Sequence, residues 1–187
     1  MSTLTSEQRE ALVADLERSH QLLIETASGL SPEQWNWKPA PDSWSVAECL
    51  DHVAIVEQML NTRLARMAAA QADAEAAERV AGREGVATTA GRSRENKRQA
   101  PEMARPTARF ATLAEFDAHF TPLRMQTIEF VRTTEAPLHA LVEPHPALGE
   151  LSAHQWIWFL SAHSERHAEQ AQEVRKAPGF PPSDVPS

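Results

Sequence analysis

His163 and His167 stand four residues apart in the run His163-Ser164-Glu165-Arg166-His167. On an α-helix that spacing puts both imidazoles on one face, where they can grip a single ion. A transition metal wants neutral imidazole nitrogens on a rigid frame, and a catalytic site typically keeps one position open beside its protein ligands. Zinc proteases use the same spacing with a glutamate directly after the first histidine. Ser164 holds that position here, which argues against a protease. The face carries more weight than the spacing. Gly149, Ala153, Trp156, Leu160, His163, His167 and Val174 form one stripe at intervals of three, four or seven, so the pair is aligned with residues that must face a core. Imidazoles buried there need hydrogen bonds or a metal.

The other histidines divide on the same grounds. His154 is about 180° around the helix from His163, which predicts that it faces solvent. His139 and His145 fall in a proline-rich loop, where exposure is the default, and His119 lies at the edge of a stripe. Two candidates remain for a third ligand. His20 sits among Leu16, Leu23 and Ala27, with a hydrogen-bonded core role as its plainer reading. His52 flanks another stripe, one turn from Cys49 and Val56. Periodicity does not choose between them.

Around these residues, Glu57 falls near the centre of an apolar helix face. A carboxylate there is raised in pKa unless it is paired, which makes it a candidate base. Its plainer role is as partner to an arginine or to a ligating histidine. Gln170, one turn beyond His167, is a candidate to orient a ligand or bound water. Cys49 reads as a small buried hydrophobe rather than a reactive thiol. Trp156 lies on the inward face and could wall a pocket, whereas Trp35, Trp37 and Trp44 cluster at an interhelical connection and suit packing.

The elements that must position these side chains are helical. A first helix is expected from about Ser6 to Ser28, and Ser31-Pro32-Glu33-Gln34 reads as the cap of a short helical turn that Pro39 and Pro41 then break. Ser45-Val46-Ala47-Glu48 is a capping box opening a second helix to about Ala76. Thr112-Leu113-Ala114-Glu115 opens a third to about Arg132, which Pro122 should kink or restart with Thr121 as a local cap. Ser152-Ala153-His154-Gln155 opens the fourth, to about Lys176. An extended stretch is suggested only near Ala140-Leu141-Val142. Four main helices make an all-α four-helix bundle the economical fold. The domain is expected to span 1–177, followed by a flexible proline-rich tail, 178–187.

Residues 79–109 interrupt this pattern. They carry eight basic residues against three acidic ones, a local balance of +5 that leaves −13 for the remainder, and half of the six glycines. A solvated crossover loop is the expected reading; the alternative is a lid or an anion-attracting flap over a site.

Bulk properties narrow the field. A chain of 187 residues suits one domain with a real core. No apolar run approaches the ~18 residues of a membrane span. Met1-Ser2-Thr3-Leu4-Thr5 has no basic stretch leading into an apolar one, so no secretory signal is expected. A single cysteine precludes an intrachain disulfide and suits a reducing cytoplasm. A formal net charge of −8 argues against general nucleic-acid binding, even with the basic stretch considered.

Two segments also resemble a known family. Trp44-Ser45-Val46-Ala47-Glu48-Cys49-Leu50-Asp51-His52-Val53-Ala54 is similar to the helix-two signature of the DinB-like superfamily, a Trp-Ser-x-x-Glu-x-x-x-His pattern. His163-Ser164-Glu165-Arg166-His167-Ala168-Glu169-Gln170 resembles that family's C-terminal His-x-x-x-His-x-x-Gln run. His145-Pro146-Ala147-Leu148-Gly149-Glu150-Leu151 resembles the lead-in to its last helix. The resemblance implies a four-helix bundle in which His52, His163 and His167 bind one divalent metal, zinc or nickel first, with manganese and iron as further candidates. It also implies a homodimer. Relatives include bacillithiol- or mycothiol-dependent transferases and isomerases, and others carry only the label of metal-dependent hydrolase. The family name refers to damage induction and does not imply DNA binding. The 79–109 stretch is longer than a minimal member requires, so its role does not transfer.

Three neutral imidazoles leave an ion its full charge. An open position would lower the pKa of a water held there or keep a small thiol deprotonated. Two functions follow as expectations: a metal-dependent thiol S-transferase or hydrolase, or a non-enzymatic stress-response module with a structural metal, its coordination closed by His20 or Glu57.

Overall fold

Serine and threonine caps start the long helices where the sequence places them. Thr5, Ser31, Ser45 and Ser152 each accept a hydrogen bond from the backbone N–H three residues on, and the Gln or Glu there closes the box on the cap's own N–H. At Thr112 the box is half closed, because the Glu115 carboxylate accepts from Ala111 N–H instead. The computed structural model describes residues 3–94 and 99–182. Its elements are α1 (Ser6–Ala27), α2 (Pro32–Asn36), α3 (Val46–Ala68), α4 (Ala74–Val80), α5 (Glu84–Arg92), a 3-10 turn at Glu102–Ala104, α6 (Leu113–Thr133), β1 (Val142–His145), β2 (Gly149–Ser152) and α7 (Ala153–Arg175). None of these helices is long and apolar enough to cross a membrane.

The four long helices pack in a ring, α1 against α7, α7 against α3, α3 against α6 and α6 against α1. Their apolar faces form two clusters at opposite ends. Leu12, Leu16, Leu60, Leu64, Ile128 and Leu160 belong to one; Leu23, Leu50, Val53, Phe116, Phe120 and Ala171 belong to the other. It follows that α1 and α7 run from the first cluster to the second, while α3 and α6 run the opposite way. The successive long helices α3 and α6 are therefore parallel, and the chain between them must return along the whole bundle. For a 23-residue helix that is about 34 Å. The long crossover is a consequence of this direction rule.

Residues 95–98 lie outside the described residues, and the described part of the crossover is not simply the solvated loop expected for 79–109. It carries α5, the 3-10 turn and the end of α4, and α5 lies along α7. Gly91 makes that approach possible: a Cβ there would sit 2.6 Å from Ala162 Cβ and 3.3 Å from the Phe159 carbonyl oxygen. The second helix also ends at Ala68 rather than Ala76. Asp73, a poor interior residue and a good cap, restarts the chain as α4 by accepting from Ala76 N–H, while its own N–H donates to Ala140 O at 2.9 Å.

Smaller expectations are corrected or sharpened. Pro122 neither restarts nor interrupts α6, and Thr121 does not cap, because its hydroxyl donates to Asp117 Oδ1. The extended stretch near Ala140–Val142 becomes a two-stranded hairpin pairing Val142 with Ser152 and His145 with Gly149. Gly149 opens β2 at φ 76°, just after the turn, and so does not belong to the stripe of α7. The start of the tail is docked rather than frayed. Phe180 packs edge-on against Trp37 at 5.5 Å, and Gln34 Nε2 donates to Pro181 O at 2.9 Å. Residues 183–187 of that tail lie outside the described residues.

Gly91→Ala should destabilise the protein by about 1–3 kcal/mol through overpacking against α7, despite the ~1 kcal/mol helix-propensity gain. Urea denaturation checks it, and a variant at least as stable as the parent would contradict the close α5–α7 approach.

Candidate metal centre

A polar layer separates the two apolar clusters and fixes the level of the helices. Arg124 and Glu57 are both wholly buried, joined by two hydrogen bonds of 3.0 and 2.8 Å. Arg124 also donates to Ser19 Oγ at 2.7 Å and to Ser164 Oγ at 2.9 Å, and Thr127 Oγ1 donates to Glu57 Oε1 at 2.7 Å. Each of the four long helices thus supplies a member. Glu57 is spent on this pair, which is the arginine-partner role; it touches none of the three histidines singled out above. The inward position of Arg124, between Phe120 and Ile128 at intervals of four, is the signal that could have named its partner.

With Ser164 pointed at the centre of the bundle, His163 and His167 turn toward α3 and meet His52. His163 Nε2 lies 3.1 Å from His52 Nε2 and 3.2 Å from His167 Nε2, and all three residues are buried. Metal–nitrogen bonds of about 2.0–2.1 Å at angles between about 90° and 110° place ligand nitrogens roughly 2.9–3.4 Å apart, so these separations suit one ion. Among the described residues this is the one group of three or more such side chains placed to hold a metal.

The protons agree with that geometry. His52 Nδ1–H donates to the Ala104 carbonyl at 2.5 Å, which leaves its Nε2 as a lone pair. His167 Nδ1–H donates to Gln170 Oε1 at 3.0 Å; Arg94 Nη1 donates to the same oxygen at 3.2 Å, fixing it as an acceptor. His167 Nε2 is therefore a lone pair as well. His163 can donate to only one of them, and its Nδ1 has no hydrogen-bond partner among the described residues. Without a cation at least one buried nitrogen stays unsatisfied, an expense that a divalent ion removes. Burial holds all three imidazoles below the usual histidine range. The neighbouring imidazoles and Arg166 add to this at His163 and His167, while the Ala104 carbonyl opposes it at His52. Neutral donors are what a metal needs.

The remaining histidines lie elsewhere. His20 is half-buried, beside Thr121 Oγ1 at 3.2 Å and Phe120, and it does not join the cluster. His154 is buried, contrary to its expected exposure. Its Nε2 accepts from Trp158 Nε1–H at 3.2 Å and its ring packs against His139, because α7 is covered on more than the bundle side. His145 packs on Trp156, and the exposed His119 on Phe110. Cys49 is buried and its thiol is pushed up by that burial, so it is not reactive.

Sequence reasoning missed several neighbours of the site. Trp44 is not mere packing: its ring is 4.9 Å from that of His52 and stacks on that of His167 at 5.8 Å. The crossover supplies the Ala104 carbonyl and Arg94, and it is pinned beside His52 by Asp51. That buried carboxylate accepts from Thr107 N–H at 2.7 Å and from Arg109 Nε at 2.6 Å. The histidines lie on the floor of a broad open cleft walled by α3, α5, α7 and the hairpin, with Trp156 and Phe159 among its lining.

Residues 15–171 match the family model of the DinB superfamily. The chain belongs to that superfamily. It is also similar to the uncharacterized protein YuaE of Bacillus subtilis, 28% identical over 152 residues that cover 79% of this chain and 87% of the relative. No solved structure gives a significant match. Membership of the DinB superfamily and the three-histidine cluster are together compatible with metal binding.

His163→Ala should abolish uptake of about one divalent ion per chain, whereas Gln170→Ala, which frees the His167 ring, should weaken it by about 10–100-fold. Competition against a chromophoric chelator measures both; full affinity in His163→Ala would overturn the assignment. Separately, Arg124→Ala strands the Glu57 charge in the core and should cost about 3–5 kcal/mol, read as a lowered urea midpoint.

Proposed function

We propose that this protein is a metal-dependent enzyme of the thiol S-transferase type, working at His52, His163 and His167. The observation that carries the reading is the convergence of three Nε2 atoms from residues that line an open cleft, so that a small molecule in the cleft could reach an ion they held. His20 and Glu57, the two groups that could have closed the coordination, are engaged with Thr121 and Arg124. A divalent ion held there supplies a Lewis acid that acidifies a thiol or a water at its open position.

The chain's own residues set the rest. His52 and His167 are held as Nε2 ligands by the Ala104 carbonyl and by Gln170. Trp44 and Trp156 bring apolar surface to the cleft and limit water around the reacting atoms. Among the described residues, the acidic ones lining the cleft are Asp42, Glu48 and Glu173. Glu48 is committed to the Ser45 cap and to Lys38, and Glu173 to Arg94. A transfer from an activated thiol needs no protein carboxylate as base, and of the three only Asp42 is not engaged in one of these bonds. Zinc and nickel suit the three-imidazole donor set.

Zinc- and nickel-loaded protein should turn over an electrophile panel with bacillithiol, mycothiol or glutathione, and His52→Ala should lose at least about 100-fold of that rate. If no thiol raises turnover above the metal-free control, the transferase reading fails. Thiol-independent cleavage of esters or amides would instead support a hydrolase.

A further inference from the structure

Arg166 stands between the two histidines of α7 in sequence and lines the same cleft. It is only partly exposed, and its charge reaches all three imidazoles. Most cationic side chains around it are committed. Arg63 and Arg66 bind the Glu143 carboxylate, Arg94 binds Glu173 and Gln170, and Lys38 binds Glu48. Arg166 makes no hydrogen bond or ion pair with any described residue, although the charges of Glu169 and Glu173 reach it. A guanidinium carries five N–H donors in a rigid fork, and here that fork is free to meet an acceptor that enters the cleft.

The surroundings point to the charge of that ligand. Among the described residues the cleft is lined by seven Lys or Arg side chains against three Asp or Glu, in a chain whose net charge is −8. A cleft with an excess of basic side chains on an acidic molecule favours anionic small molecules. The fork of Arg166 matches the two-oxygen edge of a carboxylate or phosphate. Apolar walls continue from the same place, with Trp44 over His52 and His167 on one side and Phe159 against His163 on the other.

We infer that the cleft takes a small anionic substrate, whose carboxylate or phosphate group is received by Arg166 while its reactive end lies at the three-histidine site. This rests on the metal-site reading for the reactive end; the anion contact rests on Arg166 and the cleft. Arg166 is a substrate-binding residue in this scheme and does not hold the ion.

Calorimetric titration of the zinc-loaded full-length chain with inorganic phosphate and with succinate tests it, alongside zinc content and thermal midpoint. One or both anions should bind, and the tighter identifies the group. Arg166→Met should weaken that binding by about tenfold or more at unchanged zinc content, and Arg166→Lys should restore part of it. Failure of both anions to bind, or equal affinity in the parent and Arg166→Met, overturns the proposal; the latter includes binding that depends on zinc alone. Anion binding that depends on Arg166 in a chain that takes up no zinc would leave the anion contact standing and sink the metal reading. Should Arg166→Met prove unstable, Arg166→Lys is decisive, since parental affinity there together with loss in Arg166→Gln still supports a charge contact, and parental affinity in both removes it.

Discussion

Arg124 and Glu57 meet at the level where the two apolar halves of the bundle join, and the other polar residues of that layer are arranged around them. A buried ion pair of this kind adds little net stability over a well-packed apolar substitute, because both charges give up their hydration. Its effect is on register. The guanidinium has to find Glu57 on α3, Ser19 on α1 and Ser164 on α7 at once, and a slip of one helix by one turn would strand a charge. Ser164 is one residue from His163, and Glu57 is five from His52. The level that satisfies Arg124 is therefore the level that brings imidazoles from two antiparallel helices within about 3 Å of one another.

The second constraint is electrostatic and belongs to the crossover. Its local excess of positive charge looks like an isolated feature in the sequence, but its arginines find acids on the bundle. Arg79 meets Glu150, Arg92 meets Glu165, Arg94 meets Glu173 and Arg109 meets Asp51. Exposed pairs such as Arg79–Glu150 contribute little each. Asp51 is different, being buried and bonded to the crossover backbone as well as to Arg109, so it sets where that segment lies. The flanking stretch then delivers a carbonyl to His52 and a guanidinium to Gln170.

The parts of the fold that were legible are those with local causes. Capping boxes at Ser45 and Ser152 mark helix starts because the bonds are made within four residues, and the His163–His167 pair follows from helical period alone. His52 could be preferred to His20 only by resemblance, since both flank apolar stripes and the difference lies in which neighbour each helix faces. The ring order that puts α7 against α3 is not written in either helix by itself. Helix α5 escaped notice because Gly85 and Gly91 have poor helix propensity, and Gly91 is there for a contact with Ala162 about seventy positions away. The burial of His154 is illegible for a related reason: angular position assumes one buried face, and α7 is enclosed on several.

The orientation of His52 comes from a main-chain oxygen. Ala104 has a methyl side chain that any alanine scan would leave untouched, so a survey of this site by side-chain truncation would pass over the group holding the imidazole. The sensitivity would surface at Asp51 and Arg109, which grip the segment without touching the ring. One ion pair, half of it buried, is in this architecture the means by which a peptide bond is delivered to the centre.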